Sequence, residues 1–199
     1  MHGWRFPRDQ VTGPREVASR ISGPFVGGWD PAVMIDLVMW DLDETLLPTQ
    51  HLRDARHRTS PCNLAQLAAF DGTALHVGIS DAVLGITGVR TGLVTSSPRW
   101  YVEQLLDCFL PDVDFDVVVT YEDVTAIKPD PEPLLLGLLR LGSDPSRAVY
   151  IGDDLVDHQA CTAAGVRFLG AGWADAPTYP IDAEGLAHPL DILAVVGST

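Results

Sequence analysis

IDLVMWDLDET, residues 35–45, is the stretch that decides the architecture. Leu37, Val38, Met39 and Trp40 form a continuous apolar run of strand length, without the alternation of a half-solvated strand. Such a run is buried on both faces, as in a parallel sheet covered by helices. It stops at Asp41 and Asp43, whose carboxylates lie on one side of an extended chain and are directed at one place. Outward from here, TGLVTS (91–96), FDVVVT (115–120), RAVYIGD (147–153) and GVRFLG (165–170) repeat the texture. The segments between them have helical length. SPRWYVEQLLDCFL (97–110) carries apolar residues at helical spacing, and DPEPLLLGLLRLG (130–142) offers Asp130 as N-cap with Pro131 in the first helical position. LVDHQACTAAG (155–165) has small residues for close packing and Gly165 as a stop. Strands alternating with helices predict an α/β fold, a doubly wound parallel sheet joined by right-handed crossovers.

In such a sheet a site forms at the carboxyl ends of the strands. Asp41 and Asp43 end the first run, and two like charges that close stay ionised only beside a cation, although Asp is also an ordinary helix cap. Thr95-Ser96-Ser97 ends the second, placing hydroxyls beside a helix N-terminus where anions are favoured. Lys128, the single lysine of the chain, precedes a Pro-rich helix start. Gly152-Asp153-Asp154, with Asp157 three residues on, ends the fourth run in a second acidic cluster. Carboxylates from two adjacent strand ends are the ligands a hard Mg²⁺ ion prefers. Trp40 reads as a core aromatic and His158 as structural.

Together these four segments, in this order over residues 35–170, resemble the haloacid dehalogenase (HAD) superfamily of phosphohydrolases. The resemblance implies a HAD-like Rossmannoid core and a Mg²⁺-dependent phosphatase. Asp41 would be the nucleophile that becomes an aspartyl phosphate, and Asp43 the acid and base for the leaving oxygen and the water. Mg²⁺ would be held by Asp41, Asp43 through its main-chain oxygen, and Asp153, with Asp154 or Asp157 behind them. Thr95, Ser96 and Lys128 would bind the phosphate. Glu44 departs from the pattern, since many relatives carry Gly there. A phosphosugar mutase would share these motifs, and a phospho-receiver domain would offer a comparable acidic pocket. The spacing of Asp41 and Asp43 favours the hydrolase over the receiver, and the short insert disfavours a mutase, which needs a closing cap.

The remaining features bound the partners. With 27 acidic and 13 basic residues the net charge is −14, which repels nucleic acid, and a small phosphorylated substrate alike unless a metal or clustered cations reverse the field locally. The resemblance implies a small phosphorylated metabolite, or an exposed phosphate on a larger molecule, as the substrate. No apolar run has the length to span a bilayer, so no membrane partner is expected and a cytoplasmic location is. Cys62, Cys108 and Cys161 lack metal-ligand spacing and read as reduced core thiols. Residues 1–34, rich in Gly and Pro, are expected to form an irregular arm, and residues 35–199 the core. Between Asp41 and Thr95 only a very short cap-like insert fits, about 47–72. It concentrates His51, Arg53, Arg56, His57 and Arg58, of which Arg53, Arg56 and Arg58 are candidate substrate contacts.

Overall fold

Each apolar run becomes a strand because both of its faces find a hydrophobic layer. The computed structural model describes residues 33–56 and 74–197. The expected arm falls almost wholly outside these residues, as do positions 57–72 of the expected insert. The strands are β1 (Leu37–Trp40), β2 (Arg90–Val94), β3 (Val117–Val119), β4 (Ala148–Gly152), β5 (Arg167–Ala171) and a short β6 (Gly185–Leu186). They form one parallel sheet in the order β3-β2-β1-β4-β5-β6. Chain order reverses at β1, whose neighbours are β2 on one side and β4 on the other, which is where such sheets place their crevice. Beyond the expected strands the structure adds β6, whose two residues carry too little pattern to be read.

The helices are α1 (Arg53–Arg56), α2 (Ile79–Gly85), α3 (Arg99–Phe109), α4 (Glu132–Leu141), α5 (Leu155–Ala164) and α6 (Asp191–Val196). Pro131, not Asp130, occupies the N-cap of α4, and the Asp130 carboxylate accepts from Glu132 N at 2.9 Å. Alternate residues of β1 enter opposite layers. Val38 and Trp40 join Leu93, Tyr101, Val149 and Ile151, whereas Leu37 and Met39 join Val94, Leu134, Leu138 and Tyr150. Burying each such side chain stabilises the fold by about 1.5–3 kcal/mol, so the central strand is fixed from both sides. Trp40 is fully buried, and its Nε1 is the one buried side-chain polar atom without a partner among the described residues. Cys161 is buried, but Cys108 lies exposed on α3 and is not a core thiol; Cys62 lies outside the described residues. No helix among the described residues is long and apolar enough to cross a membrane.

Asp123 ties three elements together on the outside of this core. Its carboxylate accepts from Thr120 N and Thr120 Oγ1, both at 2.9 Å, from Arg140 Nη2 of α4 at 2.9 Å, and from Arg99 Nη2 of α3. Burial pushes the carboxyl up, but the Thr120 N–H, the Arg140 guanidinium, the Thr120 hydroxyl and Arg99 outweigh it and hold it below its ordinary value. Asp123→Asn should therefore lower the unfolding free energy by about 1–2 kcal/mol at neutral pH, the worth of charge-assisted hydrogen bonds at a half-exposed site. Since the folded value lies below the unfolded one, this stability is present above 3.8 and is lost as pH falls through the lowered value. Urea unfolding of both proteins across that range checks the sign: the difference should shrink only on the acid side.

Candidate active site

The ends of β1, β2 and β4 meet around Lys128. Its Nζ donates to Asp41 Oδ1, to Asp157 Oδ1 and to the Tyr150 hydroxyl, each at 2.6 Å, and its side chain is 3% exposed. Asp41 is seated by its own N–H, which donates to Ile151 O at 2.9 Å in continuation of the β1–β4 ladder. Asp153 follows β4, and its Oδ1 accepts from Thr45 Oγ1 at 3.0 Å. Gly152 makes room for Asp157, because a Cβ there would lie 2.5 Å from Asp157 Oδ2. Oxygens of Asp41, Asp153 and Asp157 all fall within 4.8 Å of one another.

Three buried carboxylates against one ammonium leave an excess of negative charge. Burial drives the Asp41 carboxyl well up, Lys128 draws it back, and Asp157, Asp153 and Asp43 raise it further. Asp153 is pushed up to about 7, first by burial and then by Asp157, against the pull of Thr45 and Lys128. Burial pulls Lys128 down, yet Asp157 and Asp41 outweigh it and keep the amine protonated. The proton of the Lys128–Asp41 pair therefore sits on nitrogen, and the upward shifts at Asp41 and Asp153 come first from burial and then from the neighbouring carboxylates. A divalent cation would relieve it, and hard oxygen donors on neighbouring strand ends fit Mg²⁺.

Asp43 stands apart from that cluster. Its Oδ1 accepts from Thr49 Oγ1 at 2.7 Å and from the Tyr101 hydroxyl at 2.9 Å. Its Oδ2 accepts from the Ser97 hydroxyl and pairs with Arg56 Nη1 at 3.1 Å. Burial first, and then Asp43, hold the Tyr101 phenol far above its ordinary value, so it remains a donor. Between the two aspartates and the helix ends lies a cavity of about 260 Å³, lined by Asp41, Asp43, Thr95, Ser96, Lys128, Asp153 and Asp157, with Arg53 and Arg56 at its rim.

Residues 67–171, more than half of the chain, match the sequence family of haloacid dehalogenase-like hydrolases. The chain belongs to this family. The matched span starts after Asp41 and includes Thr95, Lys128 and the aspartates that follow β4. The pyrophosphatase PpaX of Bacillus velezensis is 43% identical over 86 residues, 43% of this chain and 40% of that protein. The phosphoglycolate phosphatase of Salmonella choleraesuis is 39% identical over 104 residues, 51% of this chain and 41% of that protein. The chain thus spans about two-fifths of the length of these relatives. CbbY from Rhodobacter sphaeroides, solved in complex with phosphate, superposes with a TM-score of 0.66 at 21% identity. The superposition covers 82% of this chain and 100% of that one, and shows that the two share a fold.

Among the residues that the haloacid dehalogenase-like pattern singles out, Asp41, Lys128, Asp153 and Asp157 converge, and Asp157 stands beside Lys128 with Asp41 and Asp153, not behind them. Asp154 instead caps α5: its Oδ1 accepts from Val156 N at 3.4 Å and from Thr178 Oγ1 at 2.8 Å. Thr95 Oγ1 accepts from Ser97 N at 3.1 Å, while Ser96 lines the cavity. Arg53 reaches Gln50 Oε1 at 2.9 Å, and Arg58 lies outside the described residues. His158 packs edge-on against Phe168 at 5.3 Å. Sequence reasoning left Thr49, Tyr101 and Tyr150 without a role, and read Ser97 as an anion-favouring hydroxyl and not as a donor to Asp43. No spacing links the first three to the motifs, and a buried tyrosine's need for a hydroxyl partner does not say which partner it finds.

Glu44 holds φ at +62°, the left-handed conformation that glycine adopts freely, so the Gly that the resemblance leads one to expect there would sit without strain. Glu44 offsets part of the strain by accepting from Thr49 N at 2.8 Å. Glu44→Ala should destabilise the fold by roughly 1 kcal/mol, because the hydrogen bond is lost and the strain remains. Glu44→Gly loses the same bond and relieves the strain, so it should be the more stable of the two variants. Denaturant midpoints in the reverse order would refute this account.

Proposed function

We propose that this protein is a phosphohydrolase that removes phosphate from a small phosphorylated metabolite through an aspartyl phosphate on Asp41. The observation that carries the reading is the Lys128 hub, which gathers Asp41, Asp157 and, through them, Asp153 at one point. Lys128 orients Asp41 Oδ1, leaving Oδ2 to attack phosphorus in line. A bond forms from Asp41 oxygen to phosphorus as the bond to the leaving oxygen breaks. Asp43 delivers a proton to that oxygen, then takes one from the water that hydrolyses the acyl phosphate. Thr95 Oγ1 already accepts from Ser97 N, so its own proton is available to a phosphoryl oxygen, alongside Ser96 and Lys128. Mg²⁺, which Asp41, Asp153 and the Asp43 main-chain oxygen would hold, supplies charge neutralisation when bound.

The relatives named above act on pyrophosphate and phosphoglycolate, both of which carry a second anionic group. Arg53 and Arg56 stand at the cavity rim where such a group would project, and we assign them to it. With p-nitrophenyl phosphate and Mg²⁺, turnover should be measurable, abolished by chelator and restored by Mg²⁺. Asp41→Asn should lower kcat by roughly a thousandfold or more. Labelling of one phosphate per chain without turnover would instead favour a receiver. Arg53→Ala and Arg56→Ala should each raise KM for phosphoglycolate or pyrophosphate roughly tenfold, the worth of one charge-assisted hydrogen bond. Unchanged KM for both substrates would remove the arginines from recognition.

A further inference from the structure

The loop between β5 and β6 lies outside all four motifs, yet it touches two of them. The Trp173 indole N–H donates to the main-chain oxygen of Thr45 at 2.8 Å. Thr45, fully buried, passes the contact on, because its hydroxyl donates to Asp153 Oδ1 at 3.0 Å. On the other side of Asp153, Thr178 N donates to the Asp153 main-chain oxygen at 2.8 Å. The Thr178 hydroxyl donates to Asp154 Oδ1 at 2.8 Å and accepts from Leu155 N at 3.1 Å. Tyr179 anchors the same loop by lying flat on Gly170, where a Cβ would approach the ring to 2.3 Å. The carboxylate of Asp153 is thus held through its side chain by Trp173 and Thr45, and through its backbone by Thr178.

We propose that Trp173 and Thr178 are positioning residues that aim Asp153 at the metal. The proposal rests on the metal reading of the preceding section. A carboxylate on a strand end has a free torsion, and its affinity for an ion depends on how little of that freedom remains to be lost on binding. Thr45 fixes Oδ1, and the carboxylate so held offers an oxygen within 4.8 Å of oxygens of Asp41 and Asp157. Thr45 can do so only while its own peptide is fixed, and among the described residues Trp173 is the group that hydrogen-bonds that peptide oxygen. The indole is half-buried and also packs on the core, so it resists displacement. Buried Trp40, whose N–H has no partner among the described residues, marks the contrast: there the indole packs in the core, whereas Trp173 both packs and reaches the site.

Mg²⁺ titrated calorimetrically into the full-length protein tests this directly, with the melting temperature measured without Mg²⁺ as a control. Trp173→Phe should raise the Kd for Mg²⁺ roughly tenfold, the low end for residues that orient a ligand. Thr178→Val, at an exposed position, keeps the main-chain donor to Asp153 but removes the hydroxyl that ties the loop to Asp154 and Leu155; by loosening that anchor it should raise the Kd roughly threefold. In a Thr45→Val background, Trp173→Phe should add less than about twofold, because the contact runs through the Thr45 hydroxyl. Packing alone would lower the melting temperature and leave Kd unchanged, which would overturn the proposal, as would a full effect of Trp173→Phe in the Thr45→Val background. Should Trp173→Phe fail to fold, an unchanged Kd for Thr45→Val overturns it equally, because the Thr45 hydroxyl is the link to the Asp153 carboxylate. Wild-type protein that binds no Mg²⁺ would overturn the metal reading itself, a result distinct from normal wild-type binding with unaffected variants.

Discussion

Three buried carboxylates share one lysine, and most of the structure around them is arranged to make that tolerable. Two like charges in a low-dielectric pocket repel by several kcal/mol, so a cluster of this kind persists only with compensation. Lys128 supplies part of it, at 2.6 Å from two of the three, and Tyr150 completes the ammonium's hydrogen bonds. The remainder of the charge has no partner among the described residues. The pocket therefore asks for a cation, and it does so from geometry and burial alone.

The sheet is what makes such a cluster possible. Asp41 and Asp153 lie 112 residues apart in sequence (153 − 41), yet β1 and β4 are neighbours in register, Trp40 opposite Ile151. Both carboxylates therefore leave adjacent strands at nearly the same height. Burial on both faces of β1 prevents a shift of register, because sliding by one residue would exchange Met39 and Trp40 between two layers of different shape. Packing, which has no chemistry of its own, thereby sets the separation of the groups that do. Gly152 extends the same logic to Asp157, since any side chain there would collide with it.

How much of this could be read from the sequence depended on the kind of signal. β1 and β4 were legible because a doubly buried strand is apolar at every position, and their ends were legible because charge follows so abruptly. Lys128 was legible as the single lysine of an acidic chain. The α2 and α6 helices were not, being short, and neither was the hub's third member: Tyr150 looks like any strand aromatic until its hydroxyl is placed 2.6 Å from Lys128. The four groups around Asp43 were hidden for another reason. Thr49, Arg56, Ser97 and Tyr101 come from a turn, a short helix, a strand end and a helix interior, and no spacing rule connects them. Asp154 lines the cavity and also caps α5, a second use that follows because an aspartate at that position satisfies main-chain donors that would otherwise be unpaired.

For an acidic protein the proposed handling of phosphate poses a conflict, which this arrangement would resolve locally. At a net charge of −14 the long-range field repels an approaching anion, but over a Debye length of about 8 Å at physiological salt that field is largely screened. What the anion meets on arrival is the rim, where Arg53 and Arg56 line the cavity with Lys128 at its floor. Arg56 is already paired with Asp43, so an anion that draws it away must leave Asp43 with hydroxyl donors alone: Thr49, Ser97 and Tyr101. Those three hold the carboxylate in place, Thr49 sharing its hydroxyl with Glu44. The rim arginines can thus respond to a substrate, whereas the neutral donors keep the geometry. That division of labour explains why hydroxyls, rather than further arginines, surround the second aspartate.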